Sequence, residues 1–358
     1  MRRLILHIGK SKTGTSTFQQ SIELNKHLLA ANGINVPSFL KDPNHSQLAL
    51  AFSKSPGVIA RGMGIESEED RQDLQKHLGE QFSEHVTDGT WLMTSEHIAT
   101  RLRSGEEIKA MLDFLRNHFD QIDVVAVVRR PDDLAASAYA ESIKSGRTWK
   151  FDVSYANKAR RSYSHSFFAA TWRSQLPSNT TFTLRPYLPQ RANNDLIDFV
   201  LKLAGVNPHL RNSFAPVETL NESMSVEAVQ FLRLVNPSFP SGALTNRLRR
   251  KLITALTEFK GNKVTLTPEI GQFLVDNDLV FGGLNPRDFM GDPLWNEWFG
   301  LPRVATKSWP ELDESLLNKL HDHCKANGVP TDRSRTNLLE GIDVVNKVRN
   351  KVVRIIRW

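Results

Sequence analysis

The segment Leu4-Ile5-Leu6-His7-Ile8-Gly9-Lys10-Ser11-Lys12-Thr13-Gly14-Thr15-Ser16-Thr17 sets an apolar run directly against a turn of glycines, lysines and hydroxyls. A strand that enters such a turn and continues into a helix aims several free backbone N–H groups at one point, where the helix dipole adds positive potential. Gly9 and Gly14 let the backbone close on a ligand, Lys12 brings a point charge, and Thr13, Thr15, Ser16 and Thr17 bring hydroxyl donors. The guest that suits this cradle is phosphate or sulfate. Gly9 and Gly14 keep the glycine spacing of G-x-x-x-x-G-K-[ST], but Thr15 stands at the lysine position and the lysine comes early, at Lys12. A lysine on the leading edge meets a different part of the ligand, which makes this a phosphate loop ill-suited to ATP hydrolysis. Taken alone, the segment also fits a plain strand-to-helix turn whose threonines cap the helix.

A second group of residues follows the most apolar stretch of the chain: Val127-Val128-Arg129-Arg130-Pro131-Asp132-Asp133-Leu134-Ala135-Ala136-Ser137-Ala138-Tyr139. Arg129 falls where the carboxyl end of a parallel strand opens toward the crevice in which α/β sheets bind ligands. Its guanidinium has the fork that grips phosphate bidentately. Ser137 comes about two helical turns later and offers a hydroxyl to the same crevice. The plain alternative is an exposed arginine pair beside a proline, with Ser137 a small residue in helix packing.

Together the two segments resemble the sulfotransferase family that uses 3′-phosphoadenosine 5′-phosphosulfate (PAPS), and in particular its bacterial and carbohydrate-sulfating branches. Ile8 to Ser16 matches a loop of the form I-G-x-x-K-[TSC]-G-[TS]-[TS], and Arg129, Pro131, Ser137 and Tyr139 match R-x-P-x-x-x-x-x-S-x-Y. Leu184-Arg185-Pro186-Tyr187 and Leu203-Ala204-Gly205-Val206 look like the late strand and following helix of the family, and Asn221-Glu222-Ser223-Met224-Ser225 is similar to its bacterial branch. The resemblance implies that Lys12 contacts the phosphosulfate with Thr13, Gly14, Thr15, Ser16 and Thr17 around the 5′ end, while Arg129 and Ser137 hold the 3′-phosphate. It also accounts for the displaced lysine, since the loop would serve a sulfuryl donor rather than a γ-phosphate with magnesium. Arg129 stands where a metal-binding aspartate would end the strand, and no metal site is expected.

Sulfuryl transfer requires a group that accepts the proton of the attacking hydroxyl or amine. Trp91-Leu92-Met93-Thr94-Ser95-Glu96-His97 puts two candidates at a strand end, Glu96 and His97. The Ser-Glu pair after a strand looks like the bacterial pattern and favours Glu96, but histidine fills this role in the small-molecule branch, so both remain candidates. Structurally, Glu96 could equally cap the next helix. No role falls to His7, which fits a packed position in the first strand, or to His321 and His323, which lack the i, i+4 spacing of a helical metal pair.

The elements needed to position these groups are legible in outline. From Met1 to about Val206 strands and helices alternate, as in a P-loop-like three-layer α/β/α fold with a central parallel sheet. Strands are expected at residues 4–8, Thr90 to Thr94, Ile122 to Val128 and Thr180 to Leu184. One helix is expected from Thr15 to Ala31, a charged one from Glu66 to His85, another from Gly105 to His118, and one starting at Pro131 and stopped by Gly146. A long helix is expected between Val153 and Leu176, and a further one through Leu196, Phe199, Val200 and Leu203. The stretch Lys41 to Gly64 is expected to be an irregular excursion. Residues 207–358 are expected to form a helical C-terminal subdomain that contributes to the acceptor site, beside a donor-binding core of residues 1–206.

Composition bounds the partners. The chain has 358 residues, a formal net charge of +7 and one cysteine, Cys324, which excludes an internal disulfide framework. Its first apolar run is far shorter than the roughly 20 residues of a membrane span, and a cytoplasmic protein is expected. The positive charge favours an anionic ligand; PAPS or its product 3′,5′-ADP is the expected one, with a hydroxylated saccharide or lipid-linked acceptor and no nucleic acid. Val344, Val345, Val348, Val352, Ile355 and Ile356, flanked by lysines and arginines, form a basic amphipathic stripe that could touch a membrane surface or dock on the body. Phe289, Trp295, Trp298 and Phe299 could stack on a sugar or adenine or form a small cluster. Two other classes stay open: a metal-dependent nucleotide or small-molecule kinase, and a non-catalytic nucleotide- or glycan-binding protein on the same fold.

Overall fold

A computed structural model provides the coordinates. It describes the chain apart from residues 11–12, 41–43, 56–57, 188–191, 218–222, 239–242, 281–308, 310–311 and 330–358. Lys12, the aromatic group at 289–299 and the basic stripe at 344–357 therefore lie outside the described residues.

The amino-terminal half runs β1 (Arg2–His7), α1 (Thr15–Leu24), α2 (Lys26–Ala31), β2 (Ile34–Asn35), α3 (Ser46–Phe52), α4 (Val58–Gly62), α5 (Glu68–His85) and β3 (Gly89–Thr94). Then come α6 (Glu96–Arg101), α7 (Gly105–Arg116), β4 (Gln121–Val128), α8 (Pro131–Lys144), α9 (Val153–Tyr163), α10 (His165–Arg173), β5 (Thr180–Pro186) and α11 (Ala192–Leu203). The remaining described elements are helical: 3₁₀ turns at Pro208–Ser213 and Asn236–Ser238, α12 (Val226–Val235), α13 (Ala243–Glu258), α14 (Pro268–Val280) and α15 (Glu314–Ala326). No helix among the described residues is long and apolar enough to cross a membrane.

The described strands form one parallel sheet in the order β2-β3-β1-β4-β5. β4 is buried at every position after Gln121, as a strand covered on both faces must be, and this explains why all of these positions but Asp123 are apolar. Alternation along the strands divides the core. Leu4, Leu6, Val124, Ala126 and Val128 face a cluster with Leu48 of α3, Phe82 of α5, Met111 of α7 and Trp172 of α10. Ile5, Val125 and Val127 face the opposite layer, with Phe18 and Ile22 of α1, Leu29 of α2 and Val200 of α11. Each fully buried side chain of this kind contributes about 1.5–3 kcal/mol. The α/β architecture expected from the sequence, a parallel sheet between two helical layers, is the one found.

Several elements differ from expectation in instructive ways. The helix expected from Thr15 to Ala31 breaks at Asn25, whose amide donates to the Ser21 carbonyl and whose side-chain oxygen accepts from the Ala215 N–H at 2.8 Å. The long helix expected between Val153 and Leu176 breaks at Ser164, which turns extended and caps α10 by accepting from the Phe167 N–H at 3.0 Å. Within the stretch expected to be irregular, α3 buries Leu48, Ala49, Ala51 and Phe52 in the core, so this stretch is partly an element of the fold. The two-residue β2 carries too little pattern to be seen in a sequence.

The described residues group into two compact units. The first contains the whole sheet: Met1–Pro131 with residues 160–217 and 274–280. The second takes Asp132–Ala159, residues 223–273, residue 309 and residues 312–329. Within the second, Tyr139 of α8 packs on Trp149, Phe151 and Trp309, and its hydroxyl donates to the Trp149 carbonyl at 3.2 Å. Arg249 of α13 donates to the carbonyls of Ile143 and Lys144 and to the Asn236 side chain, a cationic finish for the carboxyl end of α8.

Candidate functional site

In the first unit the chain moves from β1 to one side of the sheet through β2 and β3, then crosses back to β4 on the other side. The carboxyl ends of β1 and β4 thus flank the point where strand order reverses, the place where open α/β sheets leave a crevice. The glycine loop leaves β1 there and Arg129 leaves β4 there. They are bound together by main chain: the Ile8 N–H donates to the Val125 carbonyl at 2.8 Å and the Lys10 N–H to the Val127 carbonyl at 3.1 Å.

Gly14 closes the loop with a left-handed backbone, φ 75°, and is the residue before the first turn of α1. That first turn has no side-chain cap and no acidic residue, which keeps its positive end suited to an anion. A β-carbon on Gly14 would lie 3.1 Å from Cε2 of Tyr187, and one on Gly9 would lie 2.9 Å from both Nε2 of His7 and Oγ1 of Thr15. Both glycines are therefore sites of close approach. The buried Thr13 hydroxyl donates to the Lys10 carbonyl at 2.6 Å and lies 3.2 Å from the Thr15 hydroxyl, so this pair braces the loop from within. Ser16 is exposed and Thr17 half-buried.

Arg129 is half-buried, and its guanidinium carbon lies 5.7 Å from the centre of the Tyr187 ring. The Tyr187 N–H donates to the Val128 carbonyl at 2.7 Å. One aromatic ring thus touches Gly14 and supports Arg129, which ties the glycine loop and the end of β4 together. In the sequence Tyr187 stood out only as the end of a strand; the clue to its role was its place one residue past the strand that neighbours β4. Beside α1 a cavity of about 220 Å³ is lined by Gly14, Thr17, Phe18, Ile197, Arg211 and Phe214. Its lining is more polar than apolar, with Phe18, Ile197 and Phe214 as apolar side chains beside the glycine turn.

Glu96 and His97 are the first two residues of α6 and are half-buried. They follow β3, the other neighbour of β1, and the Ser95 N–H donates to the His7 carbonyl at 2.9 Å. They therefore share the carboxyl edge of the sheet with the glycine loop and Arg129. His45, to which the sequence drew no attention, is buried on the same edge with φ 41°, and its Nδ1 accepts from the Thr94 N–H at 3.0 Å. A non-glycine residue in the left-handed region is uncommon and marks a position held by its surroundings. His7 is also buried, with Nδ1 2.8 Å from the Thr94 hydroxyl and Nε2 without a partner among the described residues, and burial pushes its pKa down to about 3. It is a neutral packed histidine, edge-on to Phe18.

Ser137 belongs to the second unit, where it is half-buried on α8. Lys12 lies outside the described residues, whereas Lys10, to which no role fell, is buried with its ammonium 4.8 Å above the ring of Phe168.

Among solved structures, the chain is similar to the crystal structure of a sulfotransferase from Alicyclobacillus acidocaldarius, with a TM-score of 0.37 and 13% sequence identity over 66% of this chain and 94% of that one. No protein-family model matches the chain, and no curated protein matches it.

Proposed function

We propose that this protein is a sulfotransferase that moves the sulfuryl group of PAPS to a hydroxyl of a saccharide or lipid-linked saccharide. The observation that carries the reading is the convergence of an uncapped, glycine-turned helix start and a half-buried arginine at the strand-order reversal, with Tyr187 touching both. Two anion-binding groups held a short distance apart suit a ligand with phosphate at both ends of a nucleoside. The cavity beside Gly14, with Phe18, Ile197 and Phe214 in a mostly polar lining, offers faces on which its base can pack.

In this reading the donor supplies a sulfuryl group on an excellent leaving group, the 5′-phosphate of 3′,5′-ADP. Lys12 and the N–H groups at the start of α1 hold the 5′ end and stabilise the negative charge that gathers on the departing phosphate oxygen. Arg129 holds the 3′-phosphate and sets the register of the nucleotide. As the S–O bond to the 5′-phosphate breaks, a bond forms between sulfur and the acceptor oxygen, and the acceptor proton leaves to Glu96 or His97. Both candidates follow the strand next to β1, on the same edge of the sheet as the loop.

The test is calorimetric titration with 3′,5′-ADP and with 5′-AMP, in the wild type and in Arg129→Ala. The expected result is a preference for 3′,5′-ADP of at least ~10-fold, largely lost in the variant, since a charge-assisted hydrogen bond contributes about 1.5–3 kcal/mol. Equal affinity for the two nucleotides in the wild type, or magnesium-dependent ATP binding that displaces 3′,5′-ADP, would overturn the proposal, the latter in favour of a kinase.

A further inference from the structure

His165, the first residue of α10, is fully buried between the two anion-binding segments of the first unit. Its Nε2 lies 2.5 Å from the main-chain carbonyl oxygen of Arg129, and its Nδ1 lies 3.4 Å from the Lys10 ammonium. A carbonyl oxygen only accepts, so Nε2 must carry the ring proton. In the neutral ring Nδ1 is then an acceptor, which is what a lysine ammonium needs. The Lys10 ammonium also donates to the Ser164 carbonyl at 3.3 Å. The Lys10 N–H in turn bonds the Val127 carbonyl, two residues before Arg129. Loop, strand end and α10 thus form a closed circuit, in which His165 bonds one segment through each ring nitrogen.

Resting on the sulfotransferase reading, we infer that His165 is a positioning residue that sets how far Arg129 stands from the glycine loop, and hence selects nucleotides with phosphate at both the 3′ and 5′ positions. The reason is leverage. The Arg129 carbonyl is on the same residue as the guanidinium, so a bond that fixes the carbonyl fixes the hinge from which the side chain extends. The Lys10 contact fixes the same ring to the loop. Without the ring the two clamps lose their common reference, and a ligand that must satisfy both is penalised more than one that needs only the loop.

The experiment measures the ratio of 3′,5′-ADP to 5′-AMP affinity by calorimetry in the wild type and in three variants. His165→Gln can return an N–H donor near Nε2 and is expected to keep the ratio within about 3-fold of wild type. His165→Asn reaches only the Nδ1 position and His165→Phe reaches neither partner; both are expected to lower the ratio at least about 10-fold while binding 5′-AMP nearly as well as wild type. Thermal melts identify folded variants, and ¹⁵N-histidine NMR of the wild type supplies a readout independent of nucleotide, with protonated Nε2 and bare Nδ1 expected at neutral pH. A folded Asn variant with the wild-type ratio, or a wild-type ring protonated on Nδ1, would overturn the inference. A wild type that shows no preference for the 3′-phosphate would instead overturn the sulfotransferase reading itself, whatever the tautomer.

Discussion

Gly14 illustrates how little freedom the residues of the loop have. Its φ of 75° is costly for any side chain, and a β-carbon there would press within 3.1 Å of a ring that also supports Arg129. Gly14→Ala is therefore expected to lower stability by roughly 1–2 kcal/mol. It is also expected to weaken 3′,5′-ADP binding more than tenfold, and urea unfolding and calorimetry read the two effects separately. Unchanged binding in the folded variant would show that Tyr187 yields and that the close contact does not shape the site. At this scale the sequence was informative about the glycine positions, because strand-turn-helix spacing is local. It was silent on Tyr187, His45 and His165, whose partners lie in distant segments: a histidine in a helix start carries no sign that it will meet the main chain 36 residues earlier.

At the scale of elements, single polar residues decide where helices end. Ser164 has two duties: its hydroxyl caps α10, and its carbonyl accepts from Lys10. Ser164→Ala removes the first and keeps the second, so it is expected to cost about 1 kcal/mol in urea unfolding with little change in nucleotide affinity. A loss of affinity comparable to that of Arg129→Ala would mean that the cap itself holds the site in place. The strands other than β2, and most of the longer helices, were legible because their apolar periods are long and regular. The breaks at Asn25 and Ser164 were not, because both residues also make contacts that only tertiary structure provides, Asn25 with the Ala215 N–H and Ser164 with the Lys10 ammonium. The capping boxes at Ser67 and Ser104, by contrast, are local and mark the starts of α5 and α7 as their sequences suggest.

At the scale of the whole molecule, burial of a neutral histidine in the sheet couples stability to pH. An unfolded His7 takes up a proton near its ordinary value of 6.5, whereas the folded ring does so only at about 3. Between these values the unfolded state binds more protons, so stability is fully present above pH 6.5 and declines as the pH falls toward 3. The slope from this one ring is at most about 1.4 kcal/mol per pH unit. Urea midpoints measured from pH 7.5 to 4.5 should fall less steeply in His7→Gln than in the wild type, and identical slopes would refute the assignment of this effect to His7. The layered α/β class was readable from alternation alone, yet the placement of α8 in a unit apart from the sheet was not, since no composition change marks Pro131.

The central strand has a consequence for biosynthesis. β1 is hydrogen-bonded to β3 and β4 alone, and its Arg3 pairs with an Asp123 that is 120 residues away. A ribosome adding about 5–20 residues per second therefore exposes the apolar Leu4–Ile8 segment for several seconds before β4 has been made. Until then the nascent chain carries its future centre as an unsatisfied edge, and for that interval its solubility rests on α1, α2 and α5 or on a chaperone.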